Sequence, residues 1–185
     1  MNRWITLACS AVFISMSLVG IGQAQENFTL TSPAFENGGT LPADLRCTRD
    51  GGDGASPPII WTSIPESTKS LALIMHHYPR GKSEGTDAPS QYWLLWNIPV
   101  KTTGIERGNP LSIGTEGSDK DGRHTGYTPP CSPSGRQHEY TITVYALNAE
   151  LDSLPTNDDL SVDWSTMTNA MQGKVISLSK ITFLN

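Results

Sequence analysis

The sequence predicts a mainly β domain with one or two peripheral helices, and three observations support this fold class. Glycine and proline, 17 and 13 in number, are spread along the whole chain, which is typical of strands joined by loops. Three segments have the length and apolar content of strands: Ser70–His77, Gln91–Ile98 and His138–Leu147. A helical spacing of apolar residues, by contrast, occurs in one segment near the end of the chain.

Two of the predicted strands are apolar on both faces. Ser70–His77 places three apolar residues on one face and two on the other, namely Leu71, Leu73 and Met75 against Ala72 and Ile74. Gln91–Ile98 has the same character, with Leu94, Trp96 and Ile98 opposite Trp93 and Leu95. Strands of this kind lie inside a sheet that is covered on both sides.

The third strand, His138–Leu147, alternates instead. One face carries Tyr140, Ile142, Val144 and Ala146, whereas the other carries Thr141 and Thr143. This alternation predicts a sheet face that meets either water or a second, polar layer. Further strands are predicted at Val175–Phe183 and in short pieces near Phe28–Thr31 and Ile59–Trp61, with loops at Lys82–Ser90, Lys101–Arg123 and Ala149–Asp159.

The predicted helix follows Asp163, whose carboxylate can cap the first turn. Its apolar stripe consists of Trp164, Met167, Ala170 and Met171, and Gly173 ends it.

Residues 1–24 have the three-part pattern of a cleavable secretion signal. One positive charge at Arg3 precedes an apolar run from Trp4 to Ile21, and Gly22-Gln23-Ala24 supplies small residues where a signal peptidase cuts. The alternative is an uncleaved membrane anchor, since the run is just long enough to span a bilayer. We favour cleavage and export to the periplasm or beyond, which leaves residues 25–185 as one domain without an integral membrane segment.

The exported chain would carry a net charge of −6, from 12 Lys and Arg against 18 Asp and Glu. Without a basic run, this balance argues against nucleic acid or an anionic membrane surface as the main partner. Two cysteines remain, Cys47 and Cys131, and in an oxidising compartment two cysteines often pair. We predict a disulfide between them, with two separate buried thiols as the alternative.

The sequence contains no G-x-S-x-G elbow, no phosphate-binding G-x-x-x-x-G-K-[ST] loop and no H-E-x-x-H motif. Four histidines and Cys131 could suggest a metal site, but His76 and His77 are adjacent in a strand and so point to opposite faces. We therefore expect neither a metal nor another cofactor. His77 shares a face with Met75, and His138 shares one with Tyr140, each at a strand end where a scaffold can form a small pocket.

Four motifs in order resemble the phosphatidylethanolamine-binding protein family, in its bacterial Raf-kinase-inhibitor-like branch. They are Ser56-Pro57-Pro58-Ile59-Ile60-Trp61, Ile64-Pro65-Glu66 leading to Ile74, Tyr92-Trp93-Leu94-Leu95-Trp96-Asn97-Ile98-Pro99, and Pro129-Pro130-Cys131-Ser132-Pro133-Ser134-Gly135 leading to His138-Glu139-Tyr140 and Val144-Tyr145-Ala146-Leu147. The match runs from about Phe28 to the end of the chain. It implies a β-sandwich-like core with peripheral helices and a small anion pocket at one end.

The resemblance also implies which residues line that pocket. His138 and Tyr140 match the family's His-x-Tyr pair, while His77 stands where the family has an acid and Tyr92 where it has a histidine. Lys174 stands where the bacterial branch often has a histidine. Replacing an acid by imidazole removes a negative charge and adds a group that can become positive near pH 6.5. The change favours a plain anion over an ammonium-bearing headgroup.

The sequence thus predicts a non-enzymatic, exported binding protein that holds a small anion such as phosphate with His77, Tyr92, His138 and Tyr140. We expect its anion affinity to rise as the pH falls from about 7.5 to about 5.5. It could also modulate another protein. A separate possibility is that the pocket is vestigial and that a surface loop such as Lys82–Ser90 recognises a protein partner. The alternative from another class is a phosphoester or ester hydrolase with His138 as the base.

Overall fold

In the computed structural model, residues 27–132 and 136–185 are described, and in this part of the chain strands dominate. The strands are β1 (Thr29–Thr31), β2 (Gly39–Thr40), β3 (Ile59–Thr62), β4 (Ser70–His77), β5 (Ser90–Pro99), β6 (Gly104–Ile105), β7 (Thr115–Glu116), β8 (Glu139–Leu147) and β9 (Val175–Leu184). The α-helix α1 spans Trp164–Met171, and short 3-10 turns occur at Ala43–Leu45 and Thr48–Asp50. The predicted mainly β class is confirmed, with one α-helix among the described residues.

Two sheets make up the architecture. The larger has the strand order β2-β9-β8-β4-β5-β7, and the smaller has the order β1-β3-β6. In the larger sheet β4 lies between β5 and β8 and pairs antiparallel with both, while the short β2 runs parallel to β9. The three long strands predicted from the sequence are therefore direct neighbours, and β9 extends them.

Two hydrophobic cores cover the centre of the larger sheet. Leu71, Leu73 and Met75 of β4 pack in the core that faces the smaller sheet. Ala72 and Ile74 pack in a second core with Met167 and Met171 of α1. All five β4 residues named from the apolar pattern are buried on their predicted faces. Complete burial of a Leu or Ile side chain stabilises a fold by about 1.5–3 kcal/mol, so β4 anchors both layers.

The alternation predicted for β5 is wrong at Ile98. This residue packs with Trp93 and Leu95 rather than with Leu94 and Trp96. The reason is an irregularity between the pairs Leu71↔Ile98 and Leu73↔Leu95, where β5 has one residue more than β4. Asn97 takes up the extra length with a positive φ of 51°, a conformation that asparagine tolerates better than most residues. An inserted residue of this kind shifts the following side chain to the other face.

The helix α1 begins as predicted. The Asp163 carboxylate accepts a hydrogen bond from the Thr166 backbone N–H at 2.8 Å, and Met167 and Met171 are buried against the sheet. Gly173 follows with a φ of 70°, which lets the chain turn directly into β9. The helix therefore covers one face of the sheet at the level of β4 and β5.

The chain also differs in detail from the predicted loops, because Lys101–Arg123 contains the two-residue strands β6 and β7. The predicted secretion signal, residues 1–24, lies outside the described residues. Among the residues that are described, no helix has the length and apolar character needed to cross a membrane.

Candidate functional site

The site predicted from the sequence begins at the last residue of β4. The His77 Nδ1 atom lies 2.9 Å from the Glu139 backbone oxygen on the neighbouring strand β8. Since a carbonyl oxygen only accepts, this bond places the ring proton on Nδ1 and leaves Nε2 for another partner. Its environment thus fixes both the orientation and the tautomer of His77.

Three further side chains surround the His77 ring. The His138 ring centroid lies 5.0 Å away, the Tyr140 centroid 5.1 Å and the Tyr92 centroid 6.5 Å. Tyr92 and Tyr140 contact each other at 5.0 Å. The structure therefore brings together all four residues that the sequence predicts for the site.

Tyr92 reaches this group through a second irregularity in β5. Met75 pairs with Trp93, whereas His76 pairs with Gln91, so Tyr92 is the additional residue on the β5 side. Tyr92 is buried in the same core as Trp93, which strict alternation would not allow.

His138 precedes β8 and is held through its backbone. Its N–H donates to the Asn185 oxygen at 2.7 Å, and its carbonyl accepts from the Asn185 N–H at 3.0 Å. The Asn185 side chain in turn donates to the Ser132 hydroxyl at 3.1 Å. The backbone of His138 is therefore held from the side of β8 that faces β9, while its ring lies beside His77 of β4.

The four side chains line a cavity of about 430 Å³, which we call the His77 pocket. Two cations also line it, Arg49 and Lys120, and both are exposed. Arg49 pairs with Asp50 at 2.9 Å and Lys120 with Asp121 at 3.1 Å. At solvent-exposed positions such pairs are weak, so either cation can be redirected toward a bound anion.

Cys131 lies in the wall of the His77 pocket and forms the predicted disulfide with Cys47. The two Cα atoms are 5.3 Å apart, within the usual range for disulfides. The Asp50 carboxylate, which accepts from the Ser132 backbone N–H at 3.0 Å, ties the same two segments together. This wall is thus covalently joined to the turn that carries Arg49.

Burial dominates the electrostatics of the His77 pocket. It lowers the pKa of His77 below the ordinary value of 6.5, against the opposing effect of the Glu139 hydrogen bond, and the His138 ring lowers it further. Burial, and then the neighbouring Tyr140, raise the pKa of Tyr92. Near neutral pH the pocket therefore presents a neutral His77 imidazole and two phenol hydroxyls.

A second cavity, of about 410 Å³, adjoins the His77 pocket and shares His77 and His138 with it. Arg80 and Arg136 line this cavity, which we call the arginine cleft. Sequence reasoning missed these two arginines together with Arg49 and Lys120. Arg80 lies close in sequence to His77, and Arg136 lies close to His138. This proximity could have indicated that both arginines lie near the site.

Of the histidines considered for a metal, His76 does not join His77 and His138. His76 lies on the opposite face of β4, where its ring contacts Trp164 at 5.1 Å. Among the described residues, the side chains that come close enough to share a metal ion are Cys47, Asp50 and Cys131. The two sulfur atoms of that group are bonded to each other.

Comparison with known proteins agrees with this architecture. The family model described as phosphatidylethanolamine-binding protein matches residues 31–184. A UPF0098 protein of Methanothermobacter thermautotrophicus is 34% identical over 159 residues, covering 82% of this chain and 94% of that protein. The UPF0098 protein YbcL of Escherichia coli is 28% identical, with 83% of this chain and 82% of that protein covered.

Two crystal structures share the fold. CT736 of Chlamydia trachomatis, described as a phosphatidylethanolamine-binding protein homolog, superposes with a TM-score of 0.72 at 28% identity, covering 86% of this chain and 97% of its own. Escherichia coli YbcL, described as a member of the mammalian family of that name, superposes with a TM-score of 0.71. Its structural alignment covers 86% of this chain and 98% of that one at 22% identity, so it supports the fold alone.

Proposed function

The chain belongs to the phosphatidylethanolamine-binding protein family, and we propose that it binds a small anion in the His77 pocket without transforming it chemically. The observation that carries the proposal is the pair of imidazoles, His77 and His138, whose ring centroids are 5.0 Å apart in one cavity. The His77 ring can gain a proton when an anion binds, because the anion stabilises its charged form, and His138 offers a second imidazole beside it.

The surrounding charges support an anionic ligand. Arg49 and Lys120 line the His77 pocket, and Arg80 and Arg136 line the adjoining arginine cleft. Arginine offers a planar set of donors that suits phosphate, sulfate and carboxylate groups. Asp121 is the acid in the pocket lining, and Lys120 already pairs with it at 3.1 Å.

Binding without turnover is favoured over hydrolysis because no activated nucleophile is found among the pocket residues that the structure describes. Ser90 supplies a hydroxyl to the pocket lining, but in the described part of the chain no hydrogen bond joins it to His138. Cys131 is held in the disulfide. A base without a positioned nucleophile provides little catalysis, so we propose that His138 binds the ligand.

We further propose that the protein acts after export, in the periplasm or outside the cell, as the pattern of residues 1–24 suggests. There the pocket would meet external pH directly, and the ligand would be an extracytoplasmic anion. Modulation of a protein partner remains part of this proposal, with the exposed loop Lys82–Ser90 as the candidate surface. Cell fractionation with an antibody against residues 25–185 tests the location.

Calorimetric titration with sulfate between about pH 7.5 and pH 5.5 tests the anion pocket. Sulfate keeps its charge over this range, so any change in affinity reports on the protein. Because the pKa of His77 is lowered, the ring is neutral at the upper end and gains its proton together with the anion as the pH falls. We expect affinity to rise on acidification, by at most about tenfold per pH unit for each coupled proton.

Two variants complete this experiment. His77→Gln should flatten the pH dependence, whereas His124→Gln, which changes an exposed histidine outside the pocket lining, should leave it intact. Affinity that stays flat or falls on acidification would contradict the anion pocket. Hydrolysis of p-nitrophenyl phosphate that is lost in His138→Ala would contradict binding without turnover.

A further inference from the structure

A further cavity lies on the other side of the sheet from the His77 pocket. It has a volume of about 790 Å³, within the range of small-molecule sites. Its floor includes Thr141 and Thr143 of β8, and Trp164 of α1 forms part of its wall. The polar face predicted for β8 therefore lines a cavity, with Thr143 buried and Thr141 partly exposed. We call this cavity the His76 groove.

Aromatic rings form much of the wall of the His76 groove. The His76 ring contacts Tyr78 at 5.3 Å and Trp164 at 5.1 Å, both edge to face. Tyr145 joins the lining from β8. All of these rings except His76 are partly open to solvent, so a ligand in the groove can contact them.

A carboxylate without an ion-pair partner faces these rings. Glu84 lines the groove and forms no salt bridge among the described residues, whereas the neighbouring Asp87 is held by Lys82 at 2.9 Å. Burial, followed by the Glu84 charge, raises the pKa of Tyr78. Burial also raises the pKa of Tyr145, and Glu84 adds to that effect. One negative charge thus acts on two phenol rings of the groove.

His76 adds an unsatisfied polar group. Its side chain is 8% exposed, and its Nδ1 atom is buried without a hydrogen-bond partner in the described structure. Burial lowers the pKa of His76 to about 4, so the ring is neutral at pH 7, with one N–H and one acceptor nitrogen. A buried polar atom without a partner is costly, but this Nδ1 atom is closed to solvent, so a ligand in the groove meets the neutral ring rather than this atom.

We propose that the His76 groove binds a primary alkylammonium ion. Its positive charge is attracted by Glu84 and by the Tyr78, Tyr145 and Trp164 rings, since aromatic rings attract cations. A primary ammonium can also donate an N–H to the exposed Glu84 carboxylate, which a quaternary ammonium cannot do. The alkyl chain lies along the partly apolar wall. This proposal does not depend on the anion pocket, because the ligand, the histidine and the face of the sheet are all different.

Lys180 leads to a second prediction, in which a substitution strengthens ligand binding rather than weakening it. It lines the groove and is exposed, and its charge contributes to the lowered pKa of His76, after burial and His77. The positive charge of the Lys180 side chain repels the positive charge of an alkylammonium ligand. Removing this charge should therefore strengthen alkylammonium binding.

NMR titration with n-butylammonium chloride near neutral pH tests the groove. The reporter is the Trp164 indole N–H, because Trp61, Trp93 and Trp96 are almost fully buried. We expect the Trp164 signal to shift with saturation. Glu84→Gln should weaken binding about threefold to fivefold, Lys180→Gln should strengthen it about twofold, and the exposed Glu66→Gln should leave it unchanged as the matched control.

Three outcomes would overturn the proposal. An absence of saturable shifts at Trp164 would remove the site. Equal binding of 1-butanol would show that charge plays no part, and equal binding of tetramethylammonium would show that the ammonium N–H plays none. None of these results would affect sulfate binding in the His77 pocket, so failures of the two proposals can be told apart.

Discussion

His76 and His77 are neighbours at the end of β4, yet their side chains lie in different chemical environments. His77 is half-buried and bonded to the Glu139 oxygen, and it lies beside a second histidine and several cations. His76 is almost fully buried, its Nδ1 has no partner, and it lies beside tryptophan, tyrosine and the Glu84 carboxylate. Burial lowers the pKa of both rings: that of His76 falls to about 4, while at His77 the hydrogen bond to Glu139 opposes the effect of burial.

This difference shows how a strand in a sheet with two covered faces can serve two sites. Successive side chains of a strand point to opposite faces, so one His-His pair contributes a ring to each layer. The His77 pocket collects Arg49 and Lys120 from loops, with Asp121 as its acid. The His76 groove collects aromatic rings and three acids, with Lys180 as its cation; the acids are Glu84, Asp87 and Glu139. The two faces are therefore expected to prefer ligands of opposite charge.

The largest expected effect comes from removing the disulfide, which lies beside the His77 pocket and away from the His76 groove. The double variant Cys47→Ser/Cys131→Ser should lose about 4–5 kcal/mol of the free energy of unfolding, because the bridge joins residues 84 apart in sequence. Urea unfolding of the variant and the parent measures this loss. Since Cys131 lines the His77 pocket and not the groove, sulfate binding should weaken while n-butylammonium binding stays. Equal weakening of both ligands would contradict the separation.

The next effect concerns the pH dependence of stability. The folded pKa of His76 is about 4, against 6.5 for a free imidazole, so between these values the unfolded chain binds the proton and the folded chain does not. Stability therefore falls as the pH drops through this window, and His76 contributes roughly 3 kcal/mol of that loss.

Urea unfolding at pH 7 and near pH 4 measures this contribution. His76→Leu should remove most of it, because leucine fills the buried site without titrating. His124→Gln changes an exposed histidine and should keep the dependence of the parent. If His76→Leu and the parent lose stability equally on acidification, His76 is not the residue responsible.

The smallest effect concerns the helix that carries Trp164. Asp163→Ala removes the cap that accepts from the Thr166 N–H at 2.8 Å, and it should cost about 1 kcal/mol of stability. Because α1 forms a wall of the groove, n-butylammonium binding should weaken while sulfate binding in the pocket does not change. Asp152→Ala, at an exposed acid outside the helix, is the control. A loss of sulfate binding in Asp163→Ala would show that the two faces are coupled.

Much of the fold could be predicted because its central strands carry strong patterns. β4 is apolar at every position from Leu71 to Met75, and β8 alternates between polar and apolar residues from Glu139 to Val144. The strands β2, β6 and β7 were missed because each has two residues, too few for any periodicity. Ile98 was assigned to the wrong face because the positive φ of Asn97, which interrupts the alternation, leaves no trace in the apolar pattern.

The two sites differ in how far they could be predicted. His77 and His138 are recognisable because each ends or begins a strand, and the family resemblance places Tyr92 and Tyr140 beside them. The groove could not be foreseen, since Glu84 lies in a predicted loop and Trp164 was interpreted as part of a helix stripe. Its residues come from β4, β8, α1 and a loop, and only the tertiary structure brings these elements together.

The backbone pairing of His138 with Asn185 has a consequence for truncation of the chain. Asn185 also bonds Ser132, from which it is separated by 53 positions. Removing Asn185 alone would take away both backbone hydrogen bonds of His138 and this side-chain bond. The position of a pocket histidine therefore depends on a residue that does not line the pocket.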